Sequence, residues 1–148
     1  MIFYYLDSSS WVKYYSDEKG SKWIGNLLQT YQAFASSPLG FIEVLTILAR
    51  KFKNREANPQ LETKMRYLDE DWLSFLHIPL NEPVVNIVRE IVKKKTLKGA
   101  DTIHLASALL LKRKLEEKAD KLIFISSDKK LNEAAKKYDL DVINPEEQ

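Results

Sequence analysis

A chain of 148 residues with 45% hydrophobic and 30% charged side chains has the size and balance of one globular domain, and is too short for two with separate cores. It contains no cysteine, which excludes disulfides, thiolate zinc sites, iron–sulfur clusters and thiol nucleophiles, and its net charge of +2 singles out no partner. The longest nearly apolar stretch, residues 103–111, falls far short of the ~20 residues a bilayer requires. The opening MIFYYLDSSS lacks the basic start and apolar run of a signal peptide, so a cytoplasmic protein is expected.

Five short β-like runs alternate with helical patterns along the chain. The first is Ile2–Leu6. Residues 8–15 follow it as a helix whose opening serines can cap it, and residues 21–31 carry Trp23, Ile24, Leu27, Leu28 and Tyr31 at helical spacing. A second strand is read at Ala33–Ser36. It leads into a helix, beginning near Leu39 or Gly40, on which Phe41, Leu45, Leu48 and Phe52 share a face. Helices at 60–75, 83–94, 101–117 and 129–138 surround strands at about 76–79, 122–125 and Asp141–Ile143. Residues 103–111 are apolar nearly all round, which predicts a central, buried helix. This alternation implies a three-layer α/β/α domain spanning residues 1–148, with a mostly parallel sheet of about five strands.

In open α/β sheets ligands bind beyond the carboxyl ends of the strands. Asp7 directly follows the first strand. Asp128 lies just past the fourth, Glu43 stands in what reads as the first turn of the helix after the second, and Asp101 opens the buried helix. Singly, an aspartate at a strand end or helix start is an ordinary cap, although Glu43 is unusual among Phe41, Ile42, Val44 and Leu45. Together, at one expected edge, the four acids read as a site. Crowded carboxylates repel one another unless a cation lies between them, and a hard divalent ion, Mg²⁺ or Mn²⁺, suits oxygen donors of this kind. Such an ion activates water and stabilises charge on a phosphodiester. Helix amino ends at the same edge further favour phosphate.

Other chemistries have little to stand on. His104 reads as a hydrogen-bonded, partly buried histidine with a supporting place near Asp101, and His77 as facing solvent or packed at a sheet edge. Ser8, Ser9 and Ser10 have no nucleophile elbow, and four glycines form no phosphate-binding fingerprint. Basic residues gather at Arg50, Lys51, Lys53 and Arg55, at Lys93, Lys94, Lys95 and Lys98, and at Lys112, Arg113 and Lys114. Each cluster taken alone reads as a solvated helix end, although such runs can also track a phosphate backbone.

The segment Ile2-Phe3-Tyr4-Tyr5-Leu6-Asp7-Ser8-Ser9-Ser10 resembles the start of PIN domains, and residues 36–44 resemble the strand–helix passage that carries their glutamate. Lys98-Gly99-Ala100-Asp101-Thr102-Ile103-His104-Leu105-Ala106 looks like the basic-x-x-Asp-x-x-His-x-Ala stretch of VapC-type toxins in that family. Ser126-Ser127-Asp128 is similar to their Thr/Ser-x-Asp element, with Ser126 standing where Thr is common. The resemblance runs from residue 2 to about 143. It implies Mg²⁺- or Mn²⁺-dependent endoribonuclease activity leaving a 5′-phosphate and a 3′-hydroxyl. Asp7, Glu43, Asp101 and Asp128 would be the catalytic, metal-binding acids, with Ser9 or Ser126 holding a ligand or water. A homodimer and a small antitoxin that covers the acidic groove are implied as partners. Asp120 precedes the fourth strand and is expected at the wrong edge. The alternatives are a PIN-domain module that binds RNA or protein with little catalysis, and a DNA-directed metal nuclease.

Overall fold

The computed structural model describes residues 1–52 and 59–148. Its elements are β1 (Ile2–Leu6), α1 (Ser8–Trp11) continued by a 3₁₀ turn (Val12–Tyr14), α2 (Ser21–Leu28), β2 (Ala33–Ser36), α3 (Pro38–Lys51), α4 (Pro59–Ser74), β3 (Leu76–His77), α5 (Glu82–Val92), α6 (Gly99–Glu116), β4 (Lys121–Ile125), α7 (Lys129–Lys137), β5 (Asp141–Ile143) and a closing 3₁₀ turn (Pro145–Glu147). The described residues form a five-stranded sheet in the order β3-β2-β1-β4-β5. Every neighbouring pair is parallel, one step beyond the mostly parallel sheet that the sequence suggests.

Successive strand residues point to opposite faces, so each strand feeds two cores. Tyr5, Ala35, Leu122 and Phe124 pack with α5, α6 and α7 on one side, while Leu6, Phe34 and Ile125 pack with α1 to α4 on the other. Trp11 is the largest fully buried side chain and stacks on Phe75. Helix α6 is buried almost all round, as its composition predicts. None of the helices described is long and apolar enough to cross a membrane.

Several boundaries differ from the sequence expectation. The third strand stops at His77 rather than 79, since Pro79 has no N–H to offer a ladder. Helix α2 ends at Leu28 rather than 31, where the Thr30 N–H and hydroxyl both donate to the Leu27 carbonyl and tighten the chain into a turn. Helix α3 starts earlier, because the Ser37 hydroxyl caps the Leu39 N–H and Pro38 is preset for the first helical position. Glu43 therefore lies in the second turn, not the first. His77 stacks flat on Trp72 at the sheet edge.

The order 3-2-1-4-5 reverses direction at β1. The chain steps outward to β3 on one side and then crosses over to β4 and β5 on the other. The crevice of such a sheet opens where the loops after β1 and β4 diverge. Leu6 pairs with Ile125 in register, so Asp7 and Ser126 emerge side by side at that point.

Candidate active site at the switch point of the sheet

Asp7 is the centre of the hydrogen-bonding there and is only 2% exposed. Its Oδ1 accepts from the Ser10 N–H and the Ser10 hydroxyl, each at 3.0 Å, and from the Ser9 hydroxyl at 2.8 Å. Its Oδ2 accepts from Ser126 at 2.6 Å and from Ser9 at 2.9 Å. One aspartate thus caps α1 and ties β1 to β4. The two serines are held in turn: Ser9 Oγ accepts from the Ser127 N–H at 2.9 Å, and Ser126 Oγ from the Asp128 N–H at 3.1 Å. Asp128 uses Oδ1 to cap α7 through the Leu131 N–H at 2.9 Å, which leaves Oδ2 without a hydrogen bond among the described residues. Ser9 and Ser126 therefore act here by holding an acid in place.

Glu43 reaches the same edge from α3. His104 Nε2 donates to Glu43 Oε1 at 2.7 Å, and the other ring nitrogen, Nδ1, lies 2.9 Å from the Tyr5 hydroxyl. Burial raises the Tyr5 phenol well above its ordinary pKa, so it stays protonated and donates to Nδ1. That leaves the ring proton on Nε2, aimed at the carboxylate. His104 is fully buried (1% exposed), more deeply than the sequence implied, and its partner is Glu43 rather than its helix neighbour Asp101.

Sequence reasoning missed what lets α3 come this close. At Gly40 an added Cβ would lie 2.6 Å from Ser36 Oγ and 3.1 Å from His104 Cε1. A Gly→Ala change inside a helix ordinarily stabilises by about 0.5–1 kcal/mol. Here overpacking against two buried groups is expected to reverse the sign, with a net loss of about 1–3 kcal/mol. Urea unfolding of Gly40→Ala reads this directly. A more stable variant would show that α3 can back away from β2 and α6 at no cost.

Asp101 sits in the first turn of α6, half-buried, with neither oxygen hydrogen-bonded among the described residues. Burial raises its carboxyl above the usual range; the charges of Asp128, Asp7 and Glu43 push it further up, against an opposing pull from His104. The Asp101 carboxyl thus lies within the field of the other three acids. Asp120 lies at the opposite end of β4, where it pairs with the Met1 ammonium.

The donors available to an ion are all hard oxygens: Asp128 Oδ2, Glu43 Oε2, the Asp101 carboxyl and the well-anchored Asp7. Their mutual repulsion is what a Mg²⁺ or Mn²⁺ ion would relieve, so the residues fit such an ion in kind. Among the described residues no three Asp, Glu or His side chains are already drawn together as a ligand cage. Asp7, Asp101 and Asp128 are presented from a strand end or helix start, and Glu43 from the second turn of α3.

A protein-family model described as PIN domain matches residues 4–137. Ribonuclease VapC45 of Mycobacterium tuberculosis (strain CDC 1551 / Oshkosh) is 31% identical over 106 residues, covering 71% of this chain and 74% of that protein. Ribonuclease VapC47 of the same strain is 38% identical over 81 residues, covering 55% of this chain and 53% of its own. Among solved structures, a chain of FitAB bound to an IR36 DNA fragment superposes with a TM-score of 0.70 at 18% identity, covering 98% of this chain and 95% of that one. A chain of FitAcB from Neisseria gonorrhoeae does so with a TM-score of 0.64 at 21% identity, covering 98% of each. At these identities the structural likeness speaks for the fold.

Proposed function

This chain belongs to the PIN-domain family, and from that premise we propose that it is a divalent-metal-dependent endoribonuclease, the toxin of a toxin–antitoxin pair. The observation that supports the reading best is at the switch point, where Asp7 emerges beside Ser126 and the Asp101 carboxyl is raised by burial and by the charges of Asp128, Asp7 and Glu43. A pure binding module has no use for such a like-charge cluster. Relatives named as ribonucleases support the activity. Neighbours solved as VapBC and FitAB assemblies support an antitoxin as partner, and the family likeness suggests a homodimer as the working form.

Asp7 and Asp101 would anchor Mg²⁺ or Mn²⁺, with Glu43 and Asp128 completing the site. When bound, the ion supplies an activated water and neutralises charge on the scissile phosphate. The chain's own residues supply the placement. Ser9, Ser10 and Ser126 fix both oxygens of Asp7, so the carboxylate is held before any ligand arrives. Tyr5 and His104 do the same for Glu43. The amino end of the 18-residue α6 faces the edge beside Asp101 and favours a phosphate there.

The test is cleavage of single-stranded RNA by the purified protein. EDTA is expected to abolish cutting, and added Mn²⁺ or Mg²⁺ to restore it, with RNA preferred over DNA of the same sequence. Undiminished cutting in EDTA would overturn the metal-dependent reading, and equal cutting of DNA would overturn the assignment to RNA.

A further inference from the structure

Two lysine groups far apart in sequence meet in one groove. Its first wall is the connection between α5 and α6, with Lys94, Lys95, Thr96 and Leu97; its second is one face of α7, with Lys130, Glu133, Ala134 and Lys137 at helical spacing. The groove encloses about 280 Å³. Four lysines elsewhere are engaged by carboxylates: Lys13 and Lys51 by Glu18, Lys112 by Glu116 and Lys121 by Asp141. Others, such as Lys114 and Lys118, stand on the surface without an ion pair among the described residues. The four groove lysines have no such partner among the described residues, although Glu133 lines the same space. Lys95 and Lys137 face each other closely enough that the second ammonium lowers the pKa of the first. Like charges are placed that close at a cost, which an anion between them would remove.

Each wall also runs into the acidic centre. Past Leu97 the chain enters the first turn of α6, which carries Asp101, and Asp128 caps α7 two residues before Lys130. From Lys130 to Lys137 the helix rises about 10 Å, so the cations form a rail leading away from the acids. Phosphates are repelled by carboxylates, so a strand with one phosphate at the acidic edge requires positive charge under its neighbours.

Resting on the nuclease reading above, we propose that the groove between the α5–α6 connection and α7 seats the sugar–phosphate backbone of the RNA on one side of the scissile bond. Lysines there grip charge, not bases, so the grip is independent of sequence. This gives the third and second basic clusters different fates. Lys112 and Arg113 are spent on Glu116, Glu90 and the Asp139 carbonyl, whereas Lys94 and Lys95 remain for a ligand.

The experiment measures binding of a single-stranded RNA oligonucleotide, by fluorescence anisotropy in EDTA across a salt series, and metal-supported cleavage of the same strand. The double variant Lys95→Gln/Lys137→Gln is compared with Lys114→Gln/Lys118→Gln, which removes equal charge from the last turn of α6 and the turn that follows it. The groove variant is expected to lower the slope of log affinity against log salt by about 1.4, at ~0.7 for each phosphate no longer neutralised. Its KM should rise several-fold while kcat holds, the mark of weakened ground-state binding. The α6 variant should match the parent. Parental slope and KM in the groove variant, with the parent still cutting RNA, would overturn the groove and leave the nuclease reading standing. Equal losses in both variants would reduce the effect to net charge and overturn it too. Unchanged RNA parameters with weakened binding of poly-glutamate would give the groove to an acidic protein partner instead. A parent that neither binds nor cuts RNA would defeat both readings together.

Discussion

Asp7→Asn is expected to lower RNA cleavage by more than about a hundredfold, since even outer-shell partners of a metal ligand are worth 10–100-fold. The fold should survive almost unchanged. Asparagine caps helices about as well as aspartate, and its amide oxygen can keep the bond from the Ser10 N–H. The amide NH₂ then faces the hydroxyls of Ser126 and Ser9, which now receive amide protons from Asp128 and Ser127. A hydroxyl oxygen has two lone pairs, so each can rotate and accept a second bond. Thermal melting within a few degrees of the parent, combined with abolished cleavage, separates the charge from the scaffold. A folded Asp7→Asn protein that cuts RNA at the parental rate would remove Asp7 from the site.

His104→Ala should affect both stability and activity. The ring is fully buried between two hydrogen-bonded partners. Removing it opens a cavity and takes the histidine partner from the Tyr5 hydroxyl, for a combined loss of about 3–5 kcal/mol. Glu43 also loses the donor that aims it, so cleavage and Mn²⁺ affinity by calorimetry should fall by about 10–100-fold. Two companions apportion the effect. Tyr5→Phe keeps the stacking on Phe124 and removes a single hydroxyl, for about 1 kcal/mol. His104→Gln restores a buried N–H donor and should recover part of the activity. Full metal affinity in a folded His104→Ala protein would show that Glu43 holds its place unaided.

The sheet and most helices were legible because their periodicities are strong: a strand such as IFYYL bounded by polar residues, or a helix apolar on every side. The positions of three acids were legible as well, since Asp7 directly follows a strand and Asp101 and Asp128 open helices, whereas Glu43 stands a turn deeper in α3 than the sequence suggests. What failed to show was closeness between elements. Nothing in the sequence around His104 says that its partner is Glu43, 61 positions earlier, rather than Asp101 one turn away. Gly40 looked like a helix start, whereas its role is to be small where α3 meets Ser36 and His104. Lysine runs have the same appearance whether solvated or convergent, and only the packing of α7 beside the α5–α6 connection distinguishes the groove from Lys112 and Arg113. Of the first basic cluster, Lys53 and Arg55 lie outside the described residues, while Lys51 is tied to Glu18. Burial alone would raise the Glu18 carboxyl, but hydrogen bonds from Lys51, Lys13 and Ser16 outweigh it and hold it down at about 2.

The bond that Ser126 donates to Asp7 joins residues 119 positions apart. Chains leave the ribosome amino end first at about 5–20 residues per second, so Asp7 waits roughly 6–24 s before Ser126 has even been made. Throughout that interval β1 has no β4 to lie against, and the acids have no common edge. A nascent copy of this polypeptide thus cannot assemble the edge that carries its four acids until nearly all of the described sheet has been made.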